Sequence, residues 1–374
     1  MSNILVYNHD IQKYPPILTI VKILLSLGKK VVIVGYCSDK NTISDLELQG
    51  VVYIETIIND TKENKIVKFF KLYSYKKKVE KIVNEEFKKD SILWLFGNQN
   101  IWLLYNLVFK FKSILYLFET PQLKVGLRYK LLSPFLNYAG TMQKAWKVVC
   151  CEYNRAHITK AYFNLVKLPI VIPNKPDFDL SKLKNILDDE TEALFKNKKL
   201  ILYQGIFNYP ERRLDELCES IQYLPSEYVI CIMGGDDNNK ARLINKYKSE
   251  RVVFLPFKSA PYHLEVTQKA YIGFLSYFSQ QGSIETAINT LYCAPNKIFE
   301  YSCFSVPMIS NDVPGLSNLF NKYNAGKVVA EFKPKEMANI ILEIDKNYDE
   351  FSKGSLSLYN SVNIKSLVSK LIEK

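Results

Sequence analysis

Short runs of consecutive apolar residues recur along the chain, and they limit the possible folds more than any other feature. In the first half they read NILVY, KVVIVGY, ILWLF, SILYLF, KVVCC and LPIVIP, and in the second half KKLILYQ, YVICIM, RVVFLPF, AYIGFLSYF, SVPMIS and GKVVA. Turn residues or helical patterns separate the runs. Such runs are typical of parallel strands that helices cover on both faces, so the sequence predicts an α/β fold.

The series of runs starts twice, which indicates two doubly wound, Rossmann-like domains. The length agrees, because 374 residues exceed what one hydrophobic core usually holds. We predict an N-terminal domain over 1–174, a C-terminal domain over 175–355, and a C-terminal helix over 356–374 that returns to the N-terminal domain. We expect the two domains to face each other across a cleft, because ligands of such sheets bind beyond the carboxyl ends of the strands.

The composition is that of an ordinary soluble globular protein, with 48% hydrophobic and 24% charged residues. Seven cysteines without a C-x-x-C motif and three histidines without ligand spacing argue against a disulfide framework or a structural zinc site, and they favour a reducing cytoplasm. The start of the sequence lacks the pattern of a signal peptide. The most apolar region, 92–118, is interrupted by amides and lysines, so we do not expect it to span a membrane.

Half of the net charge of +12 lies between Lys62 and Lys89, where ten lysines and four glutamates leave +6. An apolar helical stripe runs through this segment, with the lysines elsewhere around the helix; the stripe consists of Leu72, Tyr75, Val79, Ile82 and Val83. Three interpretations stay open: the solvated face of a core helix, a surface that docks on anionic lipid, and a nucleic-acid contact.

The loops after the second-half strands hold the best candidates for a ligand site. Gly205 follows the first of these strands, and a glycine lets a ligand approach the backbone. Arg212, which we expect to open the next helix, has a guanidinium that can clamp a phosphate. Gly234 ends the next strand, and Pro256 and Phe257 end the one after it.

The stretch APNKIFEYS places a lysine and a glutamate in an otherwise apolar or small run. Pro295 suits the first turn of a helix, and Lys297 and Glu300 then share a face near its start. A helix start suits a phosphate, and a carboxylate one turn further on can accept two hydrogen bonds from a ribose diol. The alternative is a surface ion pair worth only roughly 0.2–0.5 kcal/mol.

The longer segment APNKIFEYSCFSVPMISNDVPGL resembles the donor-site segment of GT-B glycosyltransferases, particularly the large family 4 of mostly retaining enzymes, of the surface-polysaccharide type. The resemblance extends over most of the chain. YPPILTIVKILLSLGKKVVIV is similar to the family's first βα unit, VIPNKP to the end of its acceptor domain, and LYQGIFNYPERRLDEL to the start of its donor domain. The resemblance implies the GT-B fold and the transfer of a sugar from a nucleotide-diphosphate sugar, with UDP as the expected nucleotide.

By position, the resemblance also implies roles for the donor-site candidates. Glu300 matches the family's ribose-binding glutamate, and Arg212 stands where a phosphate-binding lysine is usual. The backbone N–H groups of Asn296 and Lys297 fall where the family holds the donor diphosphate.

Two further positions match the family, and two depart from it. Pro256 and Phe257 match the loop that reads the base through its backbone. Tyr292 replaces a paired glutamate, and Phe207 replaces a second phosphate-binding arginine.

From this resemblance we expect a hexosyltransferase that retains the sugar's configuration and needs neither a cofactor nor a metal. Arg212, Lys297 and helix dipoles can stabilise the departing diphosphate without an ion. The segment Asp177-Phe178-Asp179 matches the D-x-D pattern of metal-dependent sugar transferases, but an ordinary turn accounts for it.

The acceptor half offers one candidate catalytic residue. Glu119 closes the strand SILYLF and resembles the acidic position after that strand in relatives, where it could orient or deprotonate the acceptor. The alternative is a solvated Glu119 beside a Thr120 that caps a helix.

We expect the acceptor to be a lipid-linked glycan at the inner membrane leaflet, because a membrane acceptor accounts for the Lys62–Lys89 segment better than a soluble one. The protein would then be cytoplasmic, peripheral on the inner membrane face, and without a nucleic-acid partner. Two rival hypotheses are a nucleotide-sugar epimerase of the same fold and a non-enzymatic, two-lobed sugar-binding protein.

Overall fold

The computed structural model describes residues 2–57, 64–178, 180–183, 187–280 and 282–373. The chain divides into two compact units. Unit 1 is Met1–Asn174 together with Ile364–Lys374, and unit 2 is Lys175–Asn363. The chain returns to unit 1 at Ile364, later than the 356 we predicted, because a helix over Tyr348–Asn360 still packs within unit 2.

A parallel sheet forms the centre of unit 1. In the described residues its strands are β1 (Ser2–Asp10), β2 (Lys30–Tyr36), β3 (Val52–Glu55), β4 (Ile92–Phe96), β5 (Ser113–Leu117), β6 (Lys147–Cys150) and β7 (Ile170–Val171). Their order is β3-β2-β1-β4-β5-β6-β7. The direction of winding reverses between β1 and β4, and this switch point is where ligands of such sheets bind.

Helices connect the strands of unit 1. They are α1 (Pro15–Ser26), α2 (Lys40–Leu48), α3 (Lys65–Glu86), α4 (Asn98–Leu103), α5 (Tyr105–Lys110), α6 (Leu127–Leu132), α7 (Tyr138–Lys144) and α8 (Tyr153–Phe163). Two prolines begin α1, where a missing N–H leaves no bond unmade.

Unit 2 repeats this plan with strands β8 (Lys199–Gln204), β9 (Tyr228–Met233), β10 (Val252–Leu255), β11 (Ile272–Leu275), β12 (Met308–Asn311) and β13 (Gly326–Val329). Their order is β10-β9-β8-β11-β12-β13, and the described pairs are parallel. Leu200 and Leu202 of β8 enter one core cluster, and Ile201 and Tyr203 enter another. Successive side chains of a strand point to opposite faces, so both faces are buried and the doubly wound prediction is confirmed.

The helices of unit 2 are α9 (Asp189–Phe195), α10 (Asp215–Ser220), α11 (Asn238–Tyr247), α12 (Leu264–Thr267), α13 (Ile284–Leu291), α14 (Lys297–Ser302), α15 (Pro314–Tyr323), α16 (Pro334–Lys346) and α17 (Tyr348–Asn360). The next helix, α18 (Ile364–Ile372), belongs to unit 1 and packs against α1. Lys147 Nζ donates to the carbonyl oxygens of Leu371 at 2.7 Å and Glu373 at 3.0 Å, which secures the end of α18.

The prediction that Arg212 opens a helix is wrong, because α10 begins only at Asp215. Tertiary hydrogen bonds hold the preceding segment in a non-helical path. The N–H of Phe278 donates to the Glu211 carbonyl at 3.0 Å, and the N–H of Arg213 donates to Ser276 Oγ at 3.0 Å. Arg212 therefore lies in a turn that the loop after β11 fixes in place.

The lysine-rich helix α3 buries the predicted apolar stripe, but not all of its lysines are solvated. Lys76 is only 6% exposed, and its Nζ donates to the Leu132 carbonyl at 2.7 Å and to Ser133 Oγ at 3.2 Å. Lys77 and Lys81 are exposed. The expectation that all lysines lie away from the core is therefore wrong at Lys76, which joins α3 to the end of α6.

Other features of this region bear on membrane contact. The first half of α3 exposes Ile66, Val67, Phe70 and Tyr73 beside its lysines. Lys62 lies outside the described residues. None of the helices in the described part of the chain is long and apolar enough to cross a bilayer.

Candidate functional site

Unit 2 brings several predicted donor-site residues together at the carboxyl ends of its central strands. Gly205 follows β8 with a φ of +149°, a backbone conformation that favours glycine. A Cβ atom on Gly205 would lie 2.9 Å from Cε of Lys297 and 3.3 Å from its Nζ. The missing side chain thus leaves the space that the Lys297 side chain occupies.

Lys297 beside Gly205 also feels the charge of a second cation, Arg212. The guanidinium of Arg212 lies over the ring of Tyr277, 4.3 Å from its centroid. Burial lowers the pKa of Lys297; Glu300 acts to raise it, and the charge of Arg212 lowers it further. Within the described part of the chain, no carboxylate lies at ion-pair distance from either cation. Two like charges near each other, with no carboxylate at ion-pair distance, favour a bound anion.

Glu300 is a buried carboxylate, with 7% of its surface exposed. Gln204 Nε2 donates to Glu300 Oε2 at 2.6 Å, and His263 Nε2 lies 3.5 Å from the same oxygen. Burial acts to raise the pKa of Glu300, but the hydrogen bonds and charge of His263, the charge of Lys297 and the hydrogen bond from Gln204 together hold it below its usual value. The carboxylate is therefore ionised although buried, so the alternative of a surface ion pair with Lys297 does not hold.

Gly234 lies against Gly205, and close packing requires it to be a glycine. A Cβ atom on Gly234 would lie 2.1 Å from the Gly205 carbonyl oxygen and 2.7 Å from the Phe207 ring. Phe207 is buried in this contact. The buried Lys240 donates to the carbonyl oxygens of Gly234 at 2.8 Å and Leu255 at 3.0 Å, and so fixes the ends of β9 and β10.

The remaining donor-site candidates lie at the same edge of the sheet. Pro256 and Phe257 follow β10, two strands from β8, and Phe257 is 68% exposed. The loop that they begin leads to His263, whose N–H donates to the Ser259 carbonyl at 3.2 Å. Asn296 precedes α14 without a side-chain capping bond.

In unit 1, Glu119 follows β5 and is exposed. Burial raises the pKa of Tyr7, as do its hydrogen bond with Tyr14 and the charge of Glu119. The ring centroids of Tyr7 and Tyr14 are 4.8 Å apart, and those of Tyr14 and Phe118 are 5.6 Å apart. The alternative in which Thr120 caps a helix is wrong, since the next helix begins at Leu127.

Three residues around Glu300 escaped the sequence analysis: Gln204, His263 and Thr267. Gln204 carries the only visible signal, because it is an amide at the end of the apolar run LILYQ. His263 and Thr267 lie more than 30 residues before Glu300, in a segment with no recognisable pattern.

The described residues contain no group of three His, Cys, Asp or Glu side chains placed to hold a metal ion. Asp177 and Phe178 lie in irregular backbone, and the Phe178 ring packs against His263 with centroids 5.7 Å apart. Asp179, the second carboxylate of the D-x-D pattern, lies outside the described residues.

No protein-family model matches the sequence, and a search of curated proteins found no match. Solved structures do match along nearly the whole chain. HepE of Anabaena in complex with UDP-glucose has 12% identity and a TM-score of 0.70, over 100% of this chain and 99% of that one. WaaG, a glycosyltransferase involved in lipopolysaccharide biosynthesis, has 11% identity and a TM-score of 0.61, over 100% and 98%.

A third similar structure is a putative UDP-N-acetylglucosamine 2-epimerase from Listeria monocytogenes, with 11% identity and a TM-score of 0.64 over 99% of this chain and 94% of that one. At these identities the likeness establishes the fold. The chain has the GT-B fold, with parallel sheets of seven and six strands in its described residues, as the sequence predicts.

Proposed function

We propose that the protein is a glycosyltransferase that takes a sugar from a UDP-sugar bound to unit 2. One observation carries the proposal: Arg212 and Lys297 lie near enough to affect each other's charge, no carboxylate of the described residues is at ion-pair distance from either, and the buried Glu300 lies one helical turn after Lys297. A nucleoside diphosphate matches both features, because its anionic phosphates can bind the two cations and its ribose diol can donate to the carboxylate. Similar structures contain UDP or UDP-glucose, which supports uridine as the nucleoside.

The arrangement suits the chemistry of transfer. The bond between the sugar's C1 and the β-phosphate oxygen breaks, and the electron pair stays on the diphosphate. Arg212 and Lys297 stabilise that developing negative charge. The acceptor's hydroxyl oxygen forms the new bond to C1, and its proton passes to Glu119 or to the departing diphosphate oxygen.

The donor site is tested by titrating UDP into purified variants in a calorimeter. We expect Arg212→Met and Glu300→Ala each to weaken UDP binding about ten- to hundredfold, since a hydrogen bond to a charged group is worth roughly 1.5–3 kcal/mol. Arg213→Met is the matched control, because Arg213 pairs with Glu216. Equal affinity in the three variants and the parent protein would refute the donor site.

An epimerase remains the alternative, because a protein described as one shares this fold. The two activities give different products from one substrate. Incubation with UDP-N-acetylglucosamine, followed by NMR, would show an isomeric sugar for an epimerase. A glycosyltransferase instead leaves the sugar unchanged until an acceptor is added.

For the acceptor we propose a lipid-linked glycan of surface-polysaccharide synthesis, bound to unit 1. The aromatic rings of Tyr14 and Phe118 offer faces for the C–H groups of a sugar, and Glu119 is nearby to orient or deprotonate a hydroxyl. The lysines and exposed apolar residues of α3 support docking of the protein on the cytoplasmic membrane face. We propose no nucleic-acid partner.

We further propose that transfer retains the sugar's configuration and needs no metal, because Arg212 and Lys297 can neutralise the diphosphate. Activity should persist in EDTA after bound metals are removed. If activity is lost in EDTA and returns when manganese or magnesium is added, transfer depends on a metal. NMR of the product's anomeric proton decides between retention and inversion.

A further inference from the structure

Glu300 is surrounded by polar residues from two other elements of unit 2. Gln204 is the last residue of β8, Thr267 is the last residue of α12, and His263 directly precedes α12. Gln204 and Thr267 are buried, with 3% and 0% of their surfaces exposed. Buried polar groups of this kind are costly unless hydrogen bonds satisfy them, so their arrangement is informative.

The hydrogen bonds form a chain that ends at one carboxylate oxygen. Thr267 Oγ1 donates to Gln204 Oε1 at 2.8 Å, and Gln204 Nε2 donates to Glu300 Oε2 at 2.6 Å. The Thr267 hydroxyl, which also lies 3.1 Å from the His263 carbonyl oxygen, thereby anchors the far end of the Gln204 amide. A flipped amide would place its oxygen against the Glu300 carboxylate, where neither oxygen can donate a hydrogen bond.

The two oxygens of Glu300 have different surroundings. Oε2 accepts the hydrogen bond from Gln204 Nε2 and lies 3.5 Å from His263 Nε2. Oε1 has no hydrogen-bond partner among the residues that the structure describes, and the side chain keeps 9% exposure. One oxygen is thus bound internally, and the other is free to accept hydrogen bonds from a ligand.

We infer that Gln204, anchored by Thr267 and assisted by His263, is a positioning residue that fixes the Glu300 carboxylate for ribose recognition. The inference rests on the proposed function, because it assigns the free Oε1 to the ribose hydroxyls of the donor. A carboxylate held at one oxygen loses little conformational freedom when it binds a ligand. It therefore discriminates better between a ribose, which has the diol, and a dideoxyribose, which lacks it.

The test compares UDP with 2′,3′-dideoxy-UDP, which lacks both hydroxyls, by calorimetry. We expect the parent protein to bind UDP at least about tenfold more tightly, as for a charge-assisted hydrogen bond. Gln204→Leu should lower this preference, which is the ratio of the Kd for dideoxy-UDP to the Kd for UDP, towards one. If Gln204→Leu binds both ligands more weakly by the same factor, the preference is unchanged and Gln204 has only a packing role.

Two matched variants of the buried Thr267 provide a second test, which stands even if the Gln204 variant does not fold. Thr267→Ser keeps the hydroxyl and should keep the preference for UDP. Thr267→Val has nearly the same shape but lacks the hydroxyl, so it should lose at least half of the preference. Equal preference in the two variants would overturn the role given to Thr267.

The outcomes separate this inference from the proposed function. If the parent protein does not bind UDP, both fail. If it binds UDP and dideoxy-UDP equally, the donor site stands, but the ribose role of Glu300 and the positioning role of Gln204 fall. If it prefers UDP and every Gln204 and Thr267 variant shares that preference, only the positioning role falls.

Discussion

Gly205 shows how much of the donor site depends on a missing side chain. We expect Gly205→Ala to lower Tm, because a strained backbone costs about 1–3 kcal/mol. We also expect it to weaken UDP binding at least about tenfold, since its Cβ would displace Lys297. Calorimetry measures both effects.

Gly235 provides the control for this variant. A Cβ on Gly235 would meet nothing within 4 Å, so Gly235→Ala should keep both Tm and UDP affinity. If the two alanine variants behave alike, the contact between Gly205 and Lys297 does not matter for binding.

At the residue scale, the sequence reveals a site only where its residues are close together in the chain. Lys297 and Glu300 are three positions apart, so one short pattern predicts both. Gln204 and Thr267 reach Glu300 through the packing of β8 and α12, and no spacing in the sequence expresses that packing. Their identification required the structure.

At the scale of elements, the continuous apolar runs predicted the strands well, since a strand buried on both faces needs apolar residues throughout. The strand β3 was missed, because Val52 to Glu55 is a short edge strand that is half exposed. The start of α10 was misplaced because the hydrogen bonds that hold Arg212 in a turn come from the loop after β11.

The helix α3 gives a prediction at this scale. Lys77→Glu combined with Lys81→Glu reverses two exposed charges and leaves Lys76, which the fold requires, in place. We expect this variant to sediment less with phosphatidylglycerol vesicles, because each lysine near an anionic surface contributes about 1 kcal/mol. Binding of the parent protein should fall as salt rises from 0.1 to 1 M, since the Debye length shortens from about 10 to about 3 Å.

The control for charge is a double variant in unit 2, Lys248→Glu with Lys335→Glu, where both lysines are exposed. It should sediment like the parent protein, and all three proteins should bind UDP equally. If the α3 variant and the control sediment alike, the lysines of α3 form only the solvent-exposed face of a core helix.

At the scale of the whole molecule, α18 tests how far the two units are independent. Val368 of α18 is fully buried within unit 1. We expect Val368→Asp to cost roughly 3 kcal/mol or more, because it buries an unpaired charge, and to lower the melting temperature by roughly 6–12 °C. UDP affinity should stay unchanged at temperatures below the transition, because Arg212 and Glu300 lie in unit 2.

The exposed Lys365 lies on the same helix and provides the comparison. Lys365→Asp should leave the melting temperature nearly unchanged. If Val368→Asp abolished UDP binding while the protein remained folded, the assignment of the donor site to unit 2 alone would be wrong.

The position of α18 in the chain also affects how the protein is made. A ribosome must add residues 175–363 before α18 exists, which takes roughly 10–40 s at about 5–20 residues per second. During that interval the nascent unit 1 presents to the cell the apolar surface that α18 will cover. We therefore expect newly synthesised chains to depend on a chaperone that shields this surface, and to aggregate when translation stalls within unit 2.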